Sequence, residues 1–203
     1  MKRTCALVAL ACVAPAASAS IFAVSGATTW LTSPPVACTL GQLTGFNAYA
    51  WDEKQNTPLS LPVDMVNNPG SSLSPVPGSI NGIYSSHFLH FEPLPGAVGA
   101  TGTVTFLDPI VAVIFTPNLL DNSDGPAGSP GTVYPTFYPF RGLSTTPVPS
   151  FVTVNANVLT FDLHTVVPTQ FLNQVRVITA TPEPGSFALL SLGAVTFGRR
   201  RRR

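Results

Sequence analysis

Residues 157–164 read NVLTFDLH, a stretch in which apolar and polar side chains alternate. An alternation with a period of two is typical of a β-strand that buries one face. The buried face would carry Leu159, Phe161 and Leu163, and the polar side chains that alternate with them would point the other way. The stretch FVTV at 151–154 precedes this strand, and the Asn-Ala-Asn turn in between predicts a β-hairpin.

Three further segments have the patterns of β-strands. In GFNAYAW, residues 45–51, the Tyr and Trp rings fall on one face. Val175 and Val177 also share a face, and Arg176 between them points away. The run PIVAVIF at 109–115 is apolar throughout, which is typical of a strand covered on both faces and predicts a central position in its sheet.

The composition favours a single domain built from short strands. The chain has 203 residues, of which 45% are hydrophobic and 9% charged, and this balance suits one globular domain. Its 21 prolines and 16 glycines follow no fixed period, and proline at this frequency breaks helices and shortens strands. No helical periodicity persists inside the domain, so no helix is expected there.

Turn signals separate the strand-like runs, as expected for an all-β protein. Together with the alternating runs, they predict a single β-sandwich with a jelly-roll-like arrangement. The turn signals are Asn67-Asn68-Pro69-Gly70, Pro77-Gly78, Asn81-Gly82, Pro95-Gly96 and Asp124-Gly125-Pro126.

The charged residues are distributed unevenly along the chain. Two cationic residues lie near the start and five arginines close the sequence, whereas residues 20–181 carry three cationic side chains and eight carboxylates. The resulting formal net charge of −5 gives this part of the chain no electrostatic surface for nucleic acid. We therefore expect no nucleic-acid partner.

The N-terminal residues have the three parts of a secretory signal peptide. Two basic residues at 2–3 precede an apolar run at 5–14, and Ala-Ser-Ala at 17–19 supplies the small residues of a cleavage site. One alternative, a buried N-terminal helix, is disfavoured because the run is short and a proline stops it. Another, a lipoprotein with Cys12 as acceptor, fits the usual lipobox poorly. We predict a signal peptide, in helical form, at 1–19.

The C-terminal residues form a second three-part pattern. Pro182, Glu183 and Pro184 are a turn signal, and the twelve residues at 187–198 that follow are apolar apart from one serine and one threonine. As a helix they would span about 18 Å, less than the roughly 30 Å of a hydrocarbon core. The positive cluster after them would stay on the cytoplasmic side and hold the short helix in the membrane transiently. This cluster consists of Arg199, Arg200, Arg201, Arg202 and Arg203.

The order of these C-terminal pieces resembles the PEP-CTERM sorting signal of exported bacterial proteins. The resemblance implies processing near 182–184 by exosortase, a membrane protease, in a Gram-negative-type envelope. It also implies release or transfer to the cell surface or the extracellular matrix. The chain would then consist of the signal peptide at 1–19, an ectodomain at 20–180 and the sorting signal at 181–203.

Several shorter pieces resemble a recurrent ectodomain of PEP-CTERM proteins that would cover most of 29–180. This second resemblance implies a fold and a location but no particular molecular activity. The pieces are Trp51-Asp52-Glu53-Lys54-Gln55, Ser86-His87-Phe88-Leu89-His90-Phe91-Glu92-Pro93, Gly102-Thr103-Val104-Thr105-Phe106, Phe140-Arg141-Gly142-Leu143 and Arg176-Val177-Ile178-Thr179.

The motifs of the commonest enzyme classes do not occur in the sequence. Gly-x-Ser-x-Gly, His-Glu-x-x-His, Walker and Cys-x-x-Cys patterns are all missing. Asp52 and Glu53 are adjacent, so on a strand their carboxylates point to opposite faces and cannot form an acid–base pair. The odd separation of His87 and His90 has the same effect, and we interpret both as structural histidines rather than zinc ligands. We expect a non-enzymatic protein without a cofactor.

The stretch LDNSDG at 120–125 gathers carboxylates, an amide and a glycine, which are the residue types found around calcium. Asp121 and Asp124 would be ligands, with Asp64 as a candidate distant one. The stretch lacks the distal glutamate of an EF-hand loop, so an Asx-type turn bonded to its own backbone is the preferred interpretation. We assign no metal site and keep calcium as the alternative.

The densest aromatic stretch is YPTFYPFR at 134–141. Its prolines would hold a rigid open loop, in which exposed rings stack on sugar faces and the arginine bonds sugar hydroxyls or an acid. The candidate glycan-binding residues are Tyr134, Phe137, Tyr138 and Arg141. In the alternative, the rings fold onto the edge of the sandwich and Arg141 pairs with an aspartate.

The sequence thus favours an exported, non-enzymatic protein of the cell surface or extracellular matrix. The alternative is a carbohydrate-binding module that associates with exopolysaccharide, and a secreted hydrolase is a third class. Cys38 would be the cysteine left after signal cleavage, and we expect a buried, inert thiol. Because one cysteine makes no internal disulfide, stability must come from the hydrophobic core.

Overall fold

The computed structural model describes residues 20–95, 97, 99–145, 148–165 and 171–181. The predicted signal peptide and the residues from 182 onward, with the predicted apolar helix and arginine cluster, lie outside this part. The described residues form twelve strands and one helix. These are β1 (Ile21–Gly26), β2 (Thr28–Leu31), β3 (Ala48–Asp52), β4 (Thr57–Val63), β5 (Gly70–Ser71), β6 (Gly78–Phe91), β7 (Gly99–Phe106), β8 (Ile110–Ile114), α1 (Pro117–Ala127), β9 (Arg141–Gly142), β10 (Phe151–Asn155), β11 (Val158–His164) and β12 (Leu172–Ala180).

The first sheet has five strands in the order β1-β7-β11-β10-β5, and each neighbouring pair is antiparallel. The predicted hairpin is confirmed, since β10 pairs with β11 and Val154 lies opposite Leu159. Ala156 in its turn has φ +54°, a left-handed conformation of the kind that tight turns require. In β11 the three predicted apolar side chains are buried and the three polar ones between and after them are not.

The second sheet has seven strands, and β6 and β12 lie at its centre. Its main order is β2-β3-β6-β12-β8, with β4 also beside β6 and β9 beside β12. β6 is long, with 14 residues, and pairs with β4 through its first half and with β3 through its second half. β12 pairs antiparallel with the second half of β6 along its other edge, from Tyr84 to Phe91.

The two sheets pack face to face and enclose the main hydrophobic core. Apolar side chains from alternate positions of both sheets meet there, which explains the period-two pattern in the sequence. The predicted all-β sandwich is therefore confirmed, while the jelly-roll connectivity stays a prediction. Members of this core from the central strands of both sheets include Leu89, Phe91, Phe106, Leu159, Phe161, Leu163, Val175 and Val177.

A second core covers the opposite face of the second sheet. Trp51 and Phe88 project from the strands toward Leu120 of α1, and their rings lie 5.1 Å apart. Because of this second layer, both faces of β8 are covered, as its uninterrupted apolar sequence predicted. Its predicted central position is wrong, since β8 ends the strand order and is flanked on its outer side by a bridge between Met65 and Val113.

The helix α1 corrects the prediction that the domain contains no helix. Its sequence PNLLDNSDGPA is rich in residues with low helix propensity, so local preference indicated a loop. Pro117 occupies the first turn, where a missing N–H costs nothing, and Leu120, Ser123 and Ala127 face the sheet. Packing and ion pairs therefore override propensity. The turn predicted at Asp124-Gly125-Pro126 is wrong for this reason.

The turn predicted at Asn81-Gly82 is also wrong. Both residues lie inside β6, where Asn81 pairs with Ser60 and Gly82 with Leu59. Pairing with β4 supplies the backbone hydrogen bonds that keep this dipeptide extended. In the part of the chain that the structure describes, no helix has the length and hydrophobicity needed to cross a membrane.

Candidate functional site

The aromatic stretch predicted from the sequence borders an open groove on the surface. The groove has a volume of about 400 Å³ and lies between the loop after β2 and the loop that precedes β9. All of its lining side chains are uncharged, and three are aromatic. The lining residues are Thr39, Leu40, Tyr134, Pro135, Thr136, Phe137 and Tyr138.

Three of the four predicted glycan-binding residues are brought together in this groove. Phe137 is the most exposed of them, at 88%, and its φ of +66° is a left-handed conformation that bulky residues rarely adopt. Tyr138 is half-buried, and its ring meets that of Phe140 edge-on at 5.9 Å. The Tyr134 ring forms part of the wall.

Arg141 does not reach the groove, which corrects its predicted role in bonding sugars. Its side chain is fully buried, and its Nη1 donates to Asp121 at 2.8 Å and to Asp124 at 2.7 Å. Its Nε donates to Gln174 at 2.9 Å. A guanidinium with these partners has no donor directed at the surface, so the alternative in which Arg141 pairs with an aspartate is confirmed.

The two aspartates also fix the backbone of the groove. Asp121 accepts a hydrogen bond from the backbone N–H of Phe137 at 3.0 Å, and Asp124 accepts one from the hydroxyl of Thr136 at 2.8 Å. Because the carboxylates lie one helical turn apart on α1, they hold two consecutive loop residues at once. These bonds stabilise the unusual conformation of Phe137.

Arg176 is the central residue that the sequence analysis did not identify. It points away from its flanking valines as predicted, but it enters the second core and is fully buried. Its Nε donates to Glu53 at 2.7 Å and its Nη2 to the other Glu53 oxygen at 3.0 Å. Nη1 donates to Ser123, and Nη2 also reaches Asp124 at 3.2 Å. Burial by itself lowers the pKa of Arg176. The negative charges of Glu53 and Asp124 raise it by more than burial lowers it, so the guanidinium stays charged.

Tyr134 links the groove to this buried ion pair. Its hydroxyl donates to Glu53 and accepts from the backbone N–H of Ser129 at 2.8 Å. Its ring lies edge-on to Phe88 at 5.4 Å, with the Arg176 guanidinium 5.2 Å from its centre. Burial and the negative charge of Glu53 raise the pKa of Tyr134, so the phenol keeps its proton. The wall of the groove is therefore rigid.

The preferred Asx-type turn at residues 120–125 is wrong, since these residues lie in α1. The geometry does not support the calcium alternative either. The oxygens of Asp121 and Asp124 accept from arginines and from the loop at 136–137, and Asp64 accepts from the backbone N–H groups of Phe115 and Thr116 at 2.6 and 2.8 Å. Within the described ranges, no three His, Cys, Asp or Glu side chains form a group suited to a metal ion.

His87 and His90 lie on opposite faces of β6, as their spacing predicted. His87 Nδ1 is 2.7 Å from Asp52, and its Nε2 is 3.0 Å from the hydroxyl of Thr179. On the other face, His90 Nε2 is 3.1 Å from the carbonyl of Leu43. Both rings are buried and hydrogen-bonded, which agrees with structural roles.

A chain of hydrogen bonds fixes the protonation of His90. Arg141 Nε donates to Gln174 Oε1, so the Gln174 amide nitrogen faces His90 Nδ1, at 3.0 Å. His90 Nδ1 must then accept, and its Nε2–H donates to the carbonyl of Leu43. Burial lowers the pKa of His90 to about 4, and the nearby Arg141 charge acts in the same direction.

Cys38 is bonded to this series of hydrogen bonds, and it is buried, as predicted for the thiol. Its carbonyl accepts from the Gln174 amide at 3.1 Å, and its sulfur is 3.7 Å from the carbonyl of Val133. Burial raises the pKa of the thiol to about 12. Cys38 is therefore an unreactive packing residue below the groove.

We predict that Arg176→Met destabilises the body, residues 20–181, by about 3–5 kcal/mol, because it leaves Glu53 buried without its cation. The double variant Arg176→Met/Glu53→Gln should recover part of this loss, since the unpaired charge is gone. Urea unfolding followed by tryptophan fluorescence measures the free energy of unfolding of both variants. Lys54→Met, which removes a cation bonded to carbonyls at the end of α1, is the control and should cost less than about 1 kcal/mol. An Arg176→Met variant as stable as the parent would contradict this role.

His90 should make stability depend on pH. Its pKa is about 4 when folded and 6.5 in a model compound, so protonation favours the unfolded state below 6.5. The contribution is therefore fully present above pH 6.5 and is lost as the pH falls toward 4, at no more than about 1.4 kcal/mol per pH unit. The free energy of unfolding is measured in urea at each pH, and the difference between the parent and His90→Gln isolates the contribution of His90. Equal slopes of stability against pH in the parent and in His90→Gln would refute the assignment.

Comparison with known proteins finds a match at the C-terminus. Residues 180–203 match the family described as the PEP-CTERM protein-sorting motif. No match is found among the curated proteins or among the solved structures. Signals of this kind are in general processed by exosortase, a membrane enzyme. The resemblance to a recurrent ectodomain of PEP-CTERM proteins stays a prediction. The resemblance of the C-terminal residues is confirmed, and the chain is an exported, envelope-associated protein that carries a PEP-CTERM sorting signal.

Proposed function

We propose that the protein is a non-enzymatic component of the cell surface or extracellular matrix, delivered there through its signal peptide and its sorting signal. The short apolar helix at 187–198 would anchor the precursor in the inner membrane until exosortase acts at 182–184. In this proposal the sorting motif determines where the protein is delivered, and the body at 20–181 performs its molecular role there.

The buried state of the most enzyme-like arrangement supports a non-enzymatic role. Asp52, His87 and Thr179 form a carboxylate–imidazole–hydroxyl chain with contacts of 2.7 and 3.0 Å. The hydroxyl and the imidazole are both buried, and the His87 ring packs on Phe106 at 4.6 Å. A hydroxyl enclosed in this way has no path to a substrate, and we assign the chain a structural role.

The groove favours a second, more specific candidate function, the binding of a glycan chain. Phe137 and Tyr138 present ring faces and edges at an open surface, and Thr39 and Thr136 supply hydroxyls beside them. Aromatic rings stack on the apolar faces of sugars, while hydroxyls bond to the sugar edges. Because Tyr134 and the loop backbone are held from below, little ordering is required when a ligand binds.

The charges indicate which glycans fit. The body contains three cationic side chains, Lys54, Arg141 and Arg176. Both arginines are buried in ion pairs, and Lys54 bonds the carbonyls of Gly125 and Pro126. The groove lining has no charge, and the body as a whole is negative. We infer that the ligand is an uncharged polysaccharide rather than a polyuronate or sulfated chain.

We predict that body 20–181 binds neutral exopolysaccharides on a glycan array and that Phe137→Ala and Tyr138→Ala each weaken binding about tenfold, or 1.4 kcal/mol. Affinity should change little between about 0.05 and 0.5 M sodium chloride, since no ion pair forms. Phe46→Ala is the control, because Phe46 is also exposed but does not line the groove. Binding to none of the glycans would remove this candidate, and salt-sensitive binding to polyuronates would overturn the charge argument.

We also predict that alanines at Pro182, Glu183 and Pro184 trap the full-length protein in the membrane fraction, if this is the processing site. Intact mass and cell fractionation in the native host measure the outcome. The matched control changes Pro75 and Pro77, an exposed Pro-x-Pro in the loop before β6, and should leave processing unaffected. If the mass and location of the alanine variant equal those of the parent, residues 182–184 are not the processing site.

A further inference from the structure

Both ends of the described body lie at the same end of the sandwich. The carbonyl of Ser20 accepts from the backbone N–H of Leu107 at 3.0 Å, and the N–H of Ala180 donates to the carbonyl of Pro109 at 2.9 Å. Residues 107–109 form the short connection between β7 and β8. The preceding and following segments of the chain therefore leave the body on either side of one connection.

Exposed apolar side chains surround these two exits. Leu107 is 53% exposed, and Phe22, two residues from the first exit, is 65% exposed. Ile83 is 59% exposed, and its carbonyl accepts from the hydroxyl of Thr181 at 3.2 Å, beside the second exit. We call Phe22, Ile83 and Leu107 the exit patch. Their exposure has no explanation in the packing of the body itself.

The groove lies toward the other end of the same strand, β12. The carbonyl of Phe140 accepts from Leu172 at the start of β12, and the carbonyl of Cys38 accepts from Gln174. The second exit follows Ala180 at the end of that strand. Six to eight strand residues separate the two regions, a distance of about 20–26 Å.

The chain beyond Thr181 limits how far the body can move from a membrane. Only residues 182–186 separate Thr181 from the apolar segment that begins at Phe187. Even when fully extended, such a connection covers no more than roughly 20 Å. An anchored precursor must therefore keep its exit end close to the lipid surface, where exposed apolar side chains are stabilised.

We propose that the exit patch rests on the non-cytoplasmic surface of the inner membrane while the sorting segment is attached, so that the groove is directed away from this membrane. The proposal rests on transient anchoring by 187–198 and is independent of what the groove binds. Asp108 lies in the same connection as Leu107, and anionic lipid repels its carboxylate. The patch therefore holds the body at the surface only with the help of the tether, and processing releases it.

Fluorescence quenching in vesicles tests this orientation. The full chain after signal cleavage, from Ser20 to Arg203, is reconstituted into phosphatidylethanolamine–phosphatidylglycerol vesicles that contain headgroup-nitroxide lipid. A fluorophore is attached at Ile83→Cys or Leu107→Cys, and in matched controls at Val36→Cys or Val133→Cys. Val133, 56% exposed, is bonded to Val36 beside the groove. The buried Cys38 stays unlabelled in the folded protein.

We expect the labels at 83 and 107 to lose most of their fluorescence and those at 36 and 133 to lose little. Equal quenching at all four positions, or stronger quenching beside the groove, would overturn the orientation. Failure of the full chain to float with the vesicles would instead overturn the anchoring on which the proposal rests. Using two positions at each end protects the result against one variant that folds poorly.

Discussion

The ion pair between Arg176 and Glu53 is the interaction on which the rest of the structure depends. Burying two charges costs several kcal/mol per ion, and the pair is tolerated because both Glu53 oxygens and all three Arg176 nitrogens have hydrogen-bond partners. Glu53 accepts from Arg176, Ser86 and Tyr134, while Arg176 also reaches the helix α1. One pair thus joins β12, the segment after β3, the helix and the groove wall. This cluster explains how a helix with poor intrinsic propensity is stabilised.

Short-range sequence patterns predicted the sandwich but not its second layer. The alternation in β11 and the apolar run of β8 depend on local burial, and both were interpreted correctly as strands. The helix could not be found in this way because Asp121, Ser123 and Asp124 are stabilised by arginines far along the chain. Arg176 and Glu53 are 123 residues apart, so no local window shows that they meet. An arginine between two core valines was the available local signal, and it predicted only that Arg176 points away from the valines, not what it meets there.

At the candidate site, too, local sequence patterns predicted exposed aromatic rings but not which residues the side chains contact. The density of aromatic residues at 134–141 predicted an open loop with exposed rings, and Phe137 and Tyr138 line a surface groove. Composition could not show that Arg141, adjacent to them in sequence, turns inward. That direction is set by Asp121 and Asp124, which bind Arg141 and also hold the loop backbone at Phe137. The same carboxylates that pair with the buried Arg141 therefore also shape the groove.

Strand β12 separates the sorting function from the candidate binding function. Its first residues bond the loops around the groove, Arg176 in its middle forms the buried ion pair, and its last residue, Ala180, is the first residue that matches the sorting motif. Among the described residues, the contacts that shape the groove lie within 20–181. The proposed cleavage at 182–184 would therefore leave these contacts intact. Under this proposal, the body would arrive at the cell surface with its candidate binding surface already formed.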